Sequence, residues 1–131
     1  MKTSKVITVL LLFLLTTTIK AQETHKDSLF FKIDYNYIKQ SQNNHAIYEL
    51  LDNRDIRNGA VYFQFYKIVH IVSPKKIQCF KKFAKTAKLY SKNQKNKLNE
   101  YEIIKLFKNN IVILVNKKRE YIEVSPVFEI E

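Results

Sequence analysis

The hydrophobic period of this chain changes along its length, and the order of those periods constrains its fold more than any other feature. Phe31, Ile33, Tyr35 and Tyr37 recur at every second position, which places them on one face of a strand from Leu29 to Tyr37. Val61 to Val72 is a long β-branched and aromatic run, apolar apart from Gln64, Lys67 and His70, as expected of a central strand. Beyond Pro74 the period is helical: Ile77, Phe80, Phe83, Ala84, Ala87 and Tyr90 share an arc of about 140° at 100° per residue. Lys76 and Leu89 break that pattern. Ile111 to Val115 is wholly aliphatic and of strand length, and Glu120 to Val124 alternates with Ile122 and Val124 on one face. Strands, two helices and strands again predict an α+β domain. Helices over about 74–90 and 99–109 pack on one face of a mostly antiparallel sheet of about 4–6 strands.

Punctuation residues set the expected boundaries. Ser73 caps and Pro74 opens the first helix. Asn99 caps the second, Glu102 completes a capping box, and Leu98 staples onto Ile103. Glu100 and Glu102 in its first turn and Lys105 and Lys108 in its last match the helix dipole, and Asn109-Asn110 ends it. Gln40 to Asn44 and Asn116 to Arg119 read as polar connections, and Ser91 to Lys97 as a solvated, mobile loop. Ala46 to Leu51 reads equally as a strand or a helical turn. Asn58-Gly59, with the only glycine in the chain, signals a turn and a hairpin pairing Ala46–Leu51 with Val61–Val72. Pro126 interrupts the last strand and leaves 127–131 as an edge or a separate short strand.

The N-terminus has the three zones of a secretory signal peptide. Lys2 and Lys5 give a positive start, Val6 to Leu15 is apolar except for Thr8, and Ala21 offers a small residue before Gln22. As a helix, residues 6–19 would reach only about 21 Å, short of a hydrocarbon core of about 30 Å. The expected product is one small basic domain over 22–131, periplasmic or secreted, with 22–28 as a flexible tail. The single cysteine, Cys79, lies too far from the apolar stretch to be the lipidated first residue of a lipoprotein, and it leaves the domain without an internal disulfide.

Charge is concentrated in one segment. Residues 67–108 carry twelve lysines against Glu100 and Glu102, and the whole chain has a net charge of +11. Lys75, Lys81, Lys82, Lys85, Lys88 and Lys92 lie opposite the apolar arc of the first helix, and Lys95 and Lys97 follow in the loop. Codon composition accounts for many lysines, but not for acids avoiding one segment. Like-charged pairs at this spacing cost about 0.2–0.5 kcal/mol each. Two readings follow: the face meets acidic polysaccharide, an anionic membrane surface or another polyanion, or it is an inert product of composition that salt screening makes tolerable. Arg54, Arg57 and Arg119 are the only arginines, which argues against bidentate, selective recognition.

One glycine excludes a P-loop, a dinucleotide fingerprint and a nucleophile elbow, each of which needs several. No cofactor is implied. His25, His45 and His70 lack metal-ligand spacing. Cys79 with His70 as its base is the one enzymatic alternative, with the neighbouring lysines favouring a thiolate. A structural or inhibitory protein acting through a sheet edge is the third class. The leader ending Lys20-Ala21-Gln22-Glu23, the Lys/Asn/Ile richness and the tail Tyr121-Ile122-Glu123-Val124 resemble short exported proteins of Bacteroidota. Such proteins have no assigned activity, so the resemblance implies no site residue.

Produced in an exporting bacterium, the protein is expected outside the inner membrane with a mass that begins at or near Gln22. Intact-mass measurement of the exported fraction checks this, and a full-length species held in the membrane would overturn it.

Overall fold

The structure, a computed structural model, describes residues 26–71 and 76–129. The leader, His25, the Ser73-Pro74 helix start, Lys75 and residues 130–131 lie outside the described residues. Among the described residues there are six strands: β1 (Asp27–Lys32), β2 (Ile38–Gln40), β3 (Ile47–Asn53), β4 (Ile56–Val69), β5 (Asn110–Val115) and β6 (Tyr121–Phe128). They form one sheet in the order β1-β5-β6-β4-β3-β2, antiparallel throughout except where β1 lies parallel to β5. Two helices, α1 (Phe80–Thr86) and α2 (Glu100–Asn109), fall between β4 and β5 in sequence. Phe80, Ala84, Ile103 and Phe107 of the helices are buried with Phe31, Val61, Phe63, Val112, Leu114, Ile122 and Val124 of the strands, so the α+β layering read from periodicity is correct.

Several strand boundaries differ from expectation, each for a local hydrogen-bonding reason. The first strand begins at Asp27, inside the expected tail, and stops at Lys32 rather than Tyr37. Asp34 ends it: one carboxylate oxygen accepts from the amides of Asn36, Tyr37 and Ile38 at 3.0, 2.8 and 3.3 Å, and Tyr35 adopts a left-handed φ of 63°. Ile38–Gln40 then pairs with β3 as a further short strand, which takes in Gln40 from the expected Gln40–Asn44 loop. The hairpin between β3 and β4 exists, but its turn is Arg54-Asp55, not Asn58-Gly59. Asn58 is 3% exposed inside β4, and its side chain accepts from the amides of Ala60 and Val61 and donates to Asp52. Pro126 does not break β6. The Glu129 amide donates to Ala60, so by strand alternation the nitrogen of Pro126 faces away from β4, beyond the pairing with β5 that ends at Val124.

The first helix is shorter than the apolar arc. Gln78 is extended and bonded along the free edge of β1, its amide donating to Phe30 and its carbonyl accepting from Lys32. Those bonds satisfy backbone groups an edge strand would leave open, and they delay the helix to Phe80. It ends at Thr86 in a Schellman arrangement: Leu89 donates to Ala84, Lys88 donates to Lys85, and Lys88 has φ 56°. Leu89 and Ala84 are both buried there. The second helix is as expected, with the Asn99 side chain accepting from the Glu102 amide at 3.1 Å. The Asn99 amide, the other half of a capping box, donates to Leu89 instead.

Lysine therefore occupies a left-handed position that suits glycine, while the only glycine sits at ordinary φ, where an added methyl group would meet nothing within 4 Å. Lys88→Gly is expected to stabilise the fold by about 1 kcal/mol, and Gly59→Ala by about 0.4–1 kcal/mol. Asn58→Ala is expected to cost about 1–3 kcal/mol because it strips buried donors of their acceptor. Urea denaturation checks all three; a destabilising Gly59→Ala would restore the turn reading.

Candidate anion-binding site

Of the eight lysines singled out by sequence, Lys81, Lys85, Lys92 and Lys95 line one cavity of about 570 Å³. Lys81 and Lys85 are one helical turn apart on α1 and share a side of it. Lys92 and Lys95 come from the Ser91–Lys97 loop, which is built rather than loose. Tyr90 bridges Leu98 antiparallel, and the Ser91 amide donates to the Lys97 carbonyl at 2.7 Å. Ser91 Oγ accepts from the amides of Asn93 and Gln94. Leu89 and Leu98 are buried on either side of the loop and pin its two ends to the core.

The remaining lysines go elsewhere. Lys82 lines a second hollow with Lys32, Lys76, Cys79 and Phe83. Lys97 joins Lys95 in a third, with Arg57 and Glu100. Lys88 is exposed in the left-handed turn and lines neither of the first two. The single lysine face read from the helical wheel is thus divided: Lys82 lies on a different side of α1 from Lys81 and Lys85, and Lys88 lies beyond the helix end.

The other walls of the first cavity were not legible as site residues. Tyr37 follows the Asp34 turn, Asp52 and Asn53 end β3, and Tyr90 opens the loop. The Lys81 ammonium sits 5.5 Å from the centre of the Tyr37 ring. Burial holds the Tyr90 hydroxyl above the usual phenol range, with Tyr37 and Asp52 adding to it, so this group remains a donor.

Among the described residues Asp52 is the only acid in the cavity wall, and it is 4% exposed. It accepts from Asn58 Nδ2 at 2.6 Å and from the Leu98 amide. Burial raises its carboxyl above the ordinary range; the Asn58 and Leu98 bonds and Lys97 pull it down, and Glu100 pushes it up. The group links β3, β4 and the far end of the lysine loop.

Cys79 takes the N-cap position of α1, is half-buried, and points its thiol at Asp34 with Sγ 3.8 Å from Oδ2. His70 follows β4, three strands from β1 in the sheet order. At about 4.8 Å per strand, that separates it from the β1 edge by roughly 14 Å. The alternative nucleophile–base pairing of Cys79 with His70 is therefore not made. Among the described residues no three His, Cys, Asp or Glu side chains group as a metal site, and no helix is long and apolar enough to cross a membrane. No protein-family model, curated protein or solved structure matches this chain.

The raised carboxyl of Asp52 has a signed consequence. Its folded state holds the proton to higher pH than the unfolded chain, so between the ordinary carboxylate value and the higher folded one, stability falls as pH rises. Urea denaturation from about pH 3 to 7 is expected to show this as a pH-dependent difference between wild type and Asp52→Asn. A difference that stays constant with pH would show that Asp52 does not titrate there.

Proposed function

We propose that this chain is an exported, non-enzymatic binding domain for polyanions, an acidic polysaccharide or an anionic membrane surface, centred on the cavity between α1, β3 and the Ser91–Lys97 loop. One observation carries the reading: Lys81, Lys85, Lys92 and Lys95 converge from two segments on a cavity whose only acid among the described residues is buried and hydrogen-bonded. Ammonium groups gathered around one hollow repel each other, and a bound anion removes that repulsion. Lysines act as point charges without the planar fork of arginine, so recognition is governed by charge density. Export is supported by the three-zone leader of residues 1–21.

A second reading has its own observation. Among the described residues β4 has a β3 partner only as far as Gln64, with a last bond from the Phe65 amide to Ala46. Beyond that point Phe65, Tyr66 and Ile68 are 41, 58 and 60% exposed. An open edge with apolar side chains suits a protein partner that adds a strand.

Retention on heparin is expected at about 0.15 M salt, with log affinity falling steeply as log salt rises. Replacing Lys85, Lys92 and Lys95 by Gln is expected to weaken retention and flatten that slope, whereas Lys76→Gln with Lys82→Gln has the smaller effect. Equal losses from the two sets would remove the cavity from the reading. Ile68→Asn, which removes an exposed apolar side chain from that edge without changing charge, is expected to leave retention unchanged.

A further inference from the structure

Anion binding by lysines does not require a hollow: a membrane surface or a nucleic-acid duplex meets protruding side chains on a convex or flat face. Here the four lysines surround a cavity of about 570 Å³, inside the range of about 300–1,000 Å³ typical of small-molecule sites. Its wall is also chemically mixed. Tyr37, Tyr90, Asn53, Ser91, Asn93 and Asn96 contribute neutral hydrogen-bonding groups beside the ammonium groups. The loop's own hydrogen bonds run through Ser91 and the backbone, which leaves the Asn93 and Asn96 side-chain amides to a ligand.

The same details disfavour other anions. A phosphate cradle uses free backbone N–H groups, and three of the loop's amides, those of Ser91, Asn93 and Gln94, are already taken within it. Base stacking needs an open aromatic face, and Lys81 covers one face of Tyr37. What remains is a wall of phenol hydroxyls and amides able to bond hydroxyl groups, ringed by positive charge.

We propose, resting on the anion-binding reading above, that the ligand of this cavity is an acidic saccharide: a sugar unit with a carboxylate or sulfate group. Lys85, Lys92 and Lys95 hold the anionic group, and the Tyr37 hydroxyl and the Asn93 amide bond the ring hydroxyls. Asp52 stays engaged with Asn58 and Leu98 and positions the loop from beneath.

The test is calorimetric titration of the protein with a sulfated, uronate-containing tetrasaccharide, its neutral counterpart of equal length, and inorganic polyphosphate. The acidic tetrasaccharide is expected to bind tightest and the neutral one weakly or not at all. Tyr37→Phe with Asn93→Ala removes two hydrogen bonds without touching charge and is expected to weaken the tetrasaccharide about tenfold while leaving polyphosphate binding unchanged. Lys85→Gln with Lys92→Gln is expected to weaken both. Polyphosphate binding at least as tightly, or an unchanged tetrasaccharide affinity in Tyr37→Phe/Asn93→Ala, would overturn the saccharide assignment and leave a charge-only site. Binding of neither anion by the wild-type protein would overturn both readings. Circular dichroism of each variant, expected to match wild type, separates lost contacts from lost fold.

Discussion

A continuous chain of phenylalanine contacts holds the helices to the sheet, and the position of the cavity depends on it. Phe31 of β1 meets Phe83 and Phe80 edge-to-face at 5.1 and 5.3 Å. Phe80 stacks on Phe107 at 6.4 Å, and Phe107 meets Phe63 of β4 edge-on at 5.0 Å. Each such pair adds about 0.5–1.5 kcal/mol beyond the area it buries. α1 has only seven residues and no side-chain cap, so little of its stability is intrinsic. Phe80 and Phe83 on its inner face are what orient Lys81 and Lys85 on the outer one.

The lysine-rich segment is built around this anchor. Leu89 and Leu98 enter the same core and draw the intervening loop closed, so that Lys92 and Lys95 return towards Lys81 and Lys85. Asp52 completes the arrangement by accepting from both Asn58 and Leu98. Burying that carboxyl raises its proton affinity, and the cost is offset by bonds that tie the hairpin to the loop. The positive charge of the cavity is thus left without an exposed acid in its wall.

Much of the fold was legible in the sequence because burial imposes periodicity directly. The aliphatic run of β5, the Ile122/Val124 alternation of β6 and the Asn99 cap of α2 all appear as read. Even the two departures from the first helical arc were informative: Lys76 and Leu89 lie outside α1, one before its start and one after its end. Errors fell where a side chain competes with regular backbone bonding. Asp34 cuts a strand whose alternation continues to Tyr37, and Asn58 imitates a turn residue while serving inside β4. Neither role is visible from spacing, because each depends on which amides lie within reach.

By itself the sequence determined the class of fold, the second helix, the inner strands and the concentration of lysine between residues 67 and 108, since hydrophobic pattern, capping chemistry and charge are local properties. Only the tertiary structure decided which lysines act together. The Schellman turn at Lys88 redirects the chain, and the Tyr90–Leu98 bridge returns it, so Lys92 and Lys95 join Lys81 and Lys85 while Lys82 faces a different hollow. Tyr37, Asn53 and Asp52 reach the same cavity from β-strand termini tens of residues away in sequence. Such convergence is set by long-range packing and pairing, which no local pattern records.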